Sequence, residues 1–171
     1  MSLRKNIGEV SLWVALLLVG IIIGASVYQR ISLIPEWGGN LPDSVAAYFQ
    51  GTTNAAAIGR FWENALPPTA IMVVLTLLTN WPERSRRKWL IVGAILFFAM
   101  LAWTAIYFVP SGVIPLMVRA GAGLSGDEIT RRARAWIFWD WFRMAGTAAA
   151  YFSLLKALTY RPLHPHTLAA E

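Results

Sequence analysis

The stretch AWIFWDWFRMAGTAAAYFSLLKALTY, residues 135–160, decides how this chain folds. At 1.5 Å per residue it is long enough to cross the roughly 30 Å hydrocarbon core of a bilayer as one helix. Its first third nevertheless carries Trp136, Trp139, Asp140, Trp141 and Arg143. A carboxylate and a guanidinium at membrane depth are costly; where they occur they face a protein interior or a wet cavity, pair with one another, and mark functional sites. The segment therefore predicts a helix packed among others, with a site on its inner face. Upstream, Ser125-Gly126-Asp127-Glu128 has the pattern of a capping box. Counted from there to Tyr160 the helix is about 54 Å long, so its basic first turns project beyond the hydrocarbon. Arg132, Trp136, Trp139, Asp140, Arg143 and Thr147 fall on one helical face.

Working outward, 57% apolar and only 14% charged residues in a chain of 171 point to an integral membrane protein rather than a soluble domain. Three further runs are long and apolar enough to span: Val10 to Tyr28, Ile58 to Thr79 and Lys88 to Val109. The expectation is an all-α fold, a single membrane domain over residues 1–171 built as an up-down-up-down four-helix bundle. Arg4 and Lys5 ahead of the first run, and Gly24, Ala25 and Ser26 at its end, resemble a cleaved signal peptide, but three more spans follow and the run reads as a retained helix. Gly20 and Gly24 in it suit a close helix approach.

The connections carry information of their own. The first loop, Gln29 to Ala57, is long, with turns around Pro35–Asn40 and a short amphipathic helix over Asp43–Gln50; such loops serve as lids or binding elements. Pro67-Pro68 lies inside the second span, so that helix must start earlier and bend, leaving the carbonyls of Glu63 and Asn64 without their helical donors. Pro110 to Leu124, interrupted by Gly112, Pro115, Gly121 and Gly123, reads as an interfacial or re-entrant segment.

The net charge of +6 is distributed over span ends rather than in one stripe, which favours membrane topology over nucleic acid. Arg4, Lys5, Arg84, Arg86, Arg87, Lys88, Lys156 and Arg161 outweigh Arg30 and Arg60, and the positive-inside rule puts both termini in the cytoplasm of, by expectation, a bacterial inner membrane. Arg119, Arg131, Arg132 and Arg134 pull the other way. With no cysteine there are no disulfides or thiolate sites. His164-Pro165-His166 supplies too few ligands for zinc, and no phosphate loop or nucleophile motif occurs. Neither a metal nor a cofactor is expected.

Arg60, Glu63, Asn64 and Pro67 share a face of the second span. If the second and fourth helices enter the bilayer near Ile58 and Ala135, Glu63 and Asp140 both lie about 7 Å below one surface. Trp103, Thr104 and Tyr107 sit at the matching end of the third span. The polar and aromatic groups thus converge on one half of the bundle. Arg143 has Glu63 or Asp140 as partner, because an unpaired buried charge costs several kcal/mol. Structural pairing explains the charges, and so does a pocket; the aromatic faces favour a flat, hydrophobic ligand, with Arg60, Asn64, Trp103, Tyr107, Arg132, Trp136 and Trp139 as its contacts. Ion conduction is disfavoured by the aliphatic inner half, Val14 to Gly20 and Val73 to Leu78.

In size, in the broken segment Val109-Pro110-Ser111-Gly112-Val113-Ile114-Pro115-Leu116, and in Trp136-Ile137-Phe138-Trp139-Asp140-Trp141-Phe142-Arg143, the chain resembles the anthrone-oxygenase-like family of small four-span membrane proteins. Relatives show a tryptophan, a polar residue, usually an amide, and an arginine three places on; Trp136, Asp140 and Arg143 fit that order. The resemblance implies a four-helix fold and oxygen insertion into an activated polyphenolic carbon without a bound metal. Under that reading Asp140 or Glu63 is the general base and Arg143 stabilises the enolate. The alternative is a non-catalytic membrane scaffold or a subunit that holds a lipid or a partner helix, with homo-oligomers compatible with either.

Overall fold

The computed structural model describes residues 3–50 and 53–160, so His164-Pro165-His166 lies outside the described residues. The fold is all-α, and strands are absent among the described residues. Helix α1 (Leu3–Tyr28) passes through a π-helical turn, π1 (Gln29–Leu33), into α2 (Ile34–Gly38). The remaining elements are α3 (Asp43–Phe49), α4 (Thr53–Thr79), α5 (Arg84–Trp103), a π-helical stretch π2 (Thr104–Val118) that prolongs α5, and α6 (Gly126–Thr159). Three helical segments are long and apolar enough to cross a membrane: Asn6–Gly38, Ala56–Thr79 and Arg84–Val118. The long helices pack α1 on α4 and α6, and α5 on α6 and α4.

Two of these segments differ from what the sequence suggests. The first span does not stop at Tyr28, because the turn widens instead of ending: the Ile34 amide donates to the Gln29 carbonyl five residues back. Ile34 and Trp37 in the following turn are buried, and Pro35 comes directly after the widened turn, in the first turn of α2. The segment after Pro110 is likewise not a separate re-entrant piece up to Val118 but a continuation of the third helix. Its turns are wide throughout, with the Arg119 amide on the Ile114 carbonyl at 3.0 Å. Termination follows at Ala120, Gly121 and Gly123, all with positive φ. A Cβ on Gly121 would lie 2.7 Å from Ile129 Cδ1, so this position excludes larger residues on backbone and packing grounds together. Within the first loop, α3 occupies the stretch expected to be helical. α4 runs unbroken through Pro67 and Pro68 and begins at Thr53, ahead of the expected Ile58.

Two apolar cores result. The first joins Leu12, Leu16 and Val19 of α1 to Val73, Leu90, Phe97, Ala150 and Leu154. The second lies under the α2–α3 connection, where Trp37 stacks on Trp136 with ring centroids 4.8 Å apart and Phe49, Phe108, Leu116 and Ala133 close round them. The closest helix approaches are not where Gly20 and Gly24 suggested: Gly24 faces open space, whereas a Cβ on Gly93 would come within 3.0 Å of Leu154 and one on Gly146 would strike Met100. Small residues thus seat α6 against α5.

Beyond the first core, a polar clasp draws one end of the molecule together. Arg86 is 2% exposed; its Nη2 lies 2.6 Å from Glu9 Oε1 and its Nε donates to the Tyr160 carbonyl. Asn80 donates to the Gly8 and Thr76 carbonyls at 2.9 and 3.0 Å and accepts from Arg86. The start of α1, the α4–α5 turn and the end of α6 therefore meet at one end. Charge counting alone had treated Arg86 as a topology signal.

The start of α6 follows its sequence pattern. The Ser125 hydroxyl accepts from the Glu128 amide at 3.3 Å, while the Glu128 side chain, instead of reaching back, pairs with Arg131 and Arg132 at 2.6 Å each. Ser125→Ala is expected to cost about 1 kcal/mol, read as a lower melting temperature. Hydrogen bonds from Arg131 and then Arg132 hold the Glu128 carboxyl below its ordinary value. Since the folded-state value is depressed, this contribution is fully present above the unfolded value and is lost as pH falls through the folded one. Protection factors of the first-turn amides of α6, corrected for intrinsic exchange, should accordingly fall below about pH 4, and a flat profile would contradict it.

Candidate functional site

Between the two cores lies a cavity of about 1040 Å³. Its outer wall is α4 from Ala56 to Pro67, its opposite wall the end of α5 with π2, and its floor Trp136, Arg143 and Thr147 of α6. The wide turns of π2 matter here: Thr104, Val109, Val113 and Val118, spaced four or five apart, all line it, a repeat that an i→i+5 helix brings to one side.

Arg143 is the charged group at the floor. It donates through Nε and Nη2 to Asp140 Oδ1 at 3.1 and 2.7 Å, so of the two carboxylates left open by the sequence, Asp140 is its partner. Asp140 is 1% exposed and stands behind the cavity surface; its Oδ2 has no hydrogen-bond partner among the described residues. The pair sits one helical turn apart, and two charge-assisted donors converging on Oδ1 hold the guanidinium in place. The Arg143 guanidinium lies 5.3 Å from the Trp62 ring centroid and 5.7 Å from that of Phe108, so aromatic rings of α4 and π2 flank it.

The other expected site residues divide. Arg60, Glu63 and Trp136 line the cavity with Arg143. Glu63 is exposed at its outer wall and forms no ion pair among the described residues. Asn64 is not in the lining; it is exposed and caps back onto the Arg60 carbonyl at 2.6 Å. Trp103, Tyr107 and Trp139 form an aromatic cluster of their own, with Trp103 stacked on Tyr107 at 4.8 Å and tilted against Trp139 at 5.5 Å. Arg132 is held by Glu128 and by the Ser111 carbonyl at 3.1 Å, tying α6 to π2 rather than reaching the cavity. Gly112 lies against Trp136, where a Cβ would be 3.2 Å from the indole Cδ1.

Sequence reasoning missed several cavity residues, Gln29, Trp62 and Phe108 among them. Gln29, 6% exposed, belongs to the π1 turn and reaches the lining only because the first helix continues past Tyr28. Trp62 sits one residue off the Arg60–Glu63 face that was singled out. The signal available for Gln29 was an amide directly following an aliphatic run, obscured by Pro35.

Comparison with family models, with curated proteins and with solved structures finds no match. What the site can do is therefore read from its geometry. Among the described residues no three His, Cys, Asp or Glu side chains come together as a metal site. The cavity offers apolar and aromatic walls, a fixed guanidinium for an oxygen anion or carbonyl, and one accessible carboxylate.

Proposed function

We propose that the chain is an integral membrane four-helix bundle whose cavity holds a hydrophobic, aromatic small molecule, and that the activity is cofactor-free oxygenation of the anthrone type. The observation that carries the pocket reading is Arg143: a guanidinium fixed by a buried carboxylate and flanked by aromatic rings at the floor of a cavity of mostly apolar lining. α6 counts as the fourth span because the two charges in the middle of its apolar stretch, Asp140 and Arg143, turn inward. Phe138, Trp141, Phe142 and Phe152, all about half exposed or more, make its outward face apolar, while Asp140 is buried and Arg143 nearly so. The clasp that joins both ends of the chain supports termini on the same side, and the basic residues around Arg84 and Lys88 support the cytoplasm for that side.

In the enzymatic form of this reading, Glu63 takes the acidic proton of the ring carbon and Arg143 stabilises the enolate oxygen as charge develops. Dioxygen then adds to the carbanion, and loss of water yields the quinone. Asp140, sequestered behind the wall, positions Arg143. Mass spectrometry of small molecules released from gently purified protein should show a flat phenolic or quinone-like compound, absent from Arg143→Leu,Asp140→Leu. Glu63→Gln, an exposed substitution that leaves the packing untouched, should slow anthrone conversion by roughly a hundredfold. An unchanged rate would remove the catalytic reading while leaving the pocket. Ordinary phospholipid alone, equal in parent and variant, would favour a scaffold or partner-binding subunit.

A further inference from the structure

The cavity is open between α4 and π2. α4 packs on α1 and α5 and touches α3 near its start, but it has no substantial packing against π2, so the two walls stand apart. Ile114 is 38% and Val118 70% exposed on the π2 side, and Ala56, Arg60 and Glu63 are exposed on the α4 side. The α4 wall runs from Ala56, at one end of its span, to Pro67, about 16 Å further along the helix axis, which is half the hydrocarbon thickness. The opening is a lateral slot facing one leaflet. Its volume lies at the top of the range for drug-sized ligands, about 300–1,000 Å³, more than a bare planar ring system occupies.

We infer that the ligand is a membrane amphiphile with a planar, acceptor-bearing head of quinone or phenolate type and a single hydrocarbon tail, taken sideways from one leaflet through the slot between α4 and π2. This rests on the pocket reading above and adds the tail and the route. The head lies against Arg143 between Trp62 and Phe108, where a cation can donate to a carbonyl or oxyanion and the rings can stack. The tail follows Val109, Val113 and Val118, the apolar line that the wide turns of π2 hold along the slot.

The test uses the full chain in phospholipid nanodiscs and two probes with one head: a substituted benzoquinone without a tail, and the same benzoquinone carrying a decyl chain. Binding is read by quenching of tryptophan fluorescence, with probe expressed per lipid to remove partitioning. Val109→Phe,Val113→Phe, which narrows the tail line only, should weaken the decyl probe about tenfold, the share of roughly two buried methylenes, and leave the tailless probe within about twofold. Arg143→Leu,Asp140→Leu should weaken both. Saturable binding of both probes that is insensitive to the valine substitutions overturns the tail and its route while leaving the pocket; failure of both probes to bind overturns the pocket as well.

Discussion

Arg143→Leu lowers the stability of the protein by about 3–5 kcal/mol, the effect of removing one member of a buried ion pair and stranding the other. Asp140 is the reason. At 1% exposure it has no water to turn to, its Oδ1 accepts both hydrogen bonds from Arg143, and its Oδ2 already lacks a partner. Replacing both residues by leucine removes the stranded charge, so Arg143→Leu,Asp140→Leu regains most of the loss. Thermal unfolding in one detergent, followed by helical circular dichroism, measures all three proteins. A double variant as unstable as the single one would mean that the cost comes from lost packing of the arginine stem and not from Asp140. A folded double variant then also tests the ligand-binding role proposed for Arg143.

The second large effect lies at the opposite end. Arg86→Met costs about 3 kcal/mol by leaving the Tyr160 carbonyl and the Asn80 amide oxygen without their donor and Glu9 without its cation. Glu9 is about one-third exposed and recovers part of its hydration, which keeps the figure at the lower limit for a broken buried pair. Arg86→Lys separates the two meanings of this residue. It keeps the charge that topology counts but has no planar fork to reach three acceptors, so orientation in the membrane stays as in the parent while stability falls. Hydrogen exchange should show the start of α1 and the end of α6 opening together. Protection unchanged in Arg86→Lys would show that charge alone holds this end.

How far the molecule could be read from its residues follows from where the backbone is α-helical. The start of α6 and the shared face of Trp136, Asp140, Arg143 and Thr147 rest on the 3.6-residue repeat and were legible; the choice between Glu63 and Asp140 as partner of Arg143 was not, since it depends on how α4 and α6 are set against each other. The extents of the first and third helices were not. Pro35, Pro110 and Pro115 punctuate an α-helix, but π1 and π2 have wider turns, and the prolines are accommodated there without breaking the chain's course. The same widening hid part of the site: Gln29 and the Val109–Val113 line reach the cavity only on that repeat. Trp103, Tyr107 and Trp139, expected as ligand contacts, pack on each other's faces and lie outside the cavity lining.

One detail of α4 sets the mechanics of the cavity. Pro67 and Pro68 remove two successive rungs from the helix ladder, those that would end on the Glu63 and Asn64 carbonyls. These missing rungs lie where the cavity's outer wall joins the more firmly packed half of α4 around Thr69, Val73 and Thr76. Above that joint the helix is held less firmly: its bending stiffness is lowest at the missing rungs, and its first turns rest on the second core chiefly through Ile58 and on α3. A ligand held as proposed would have its girth met by flexure at two consecutive prolines, while the guanidinium that would orient it stays fixed on α6.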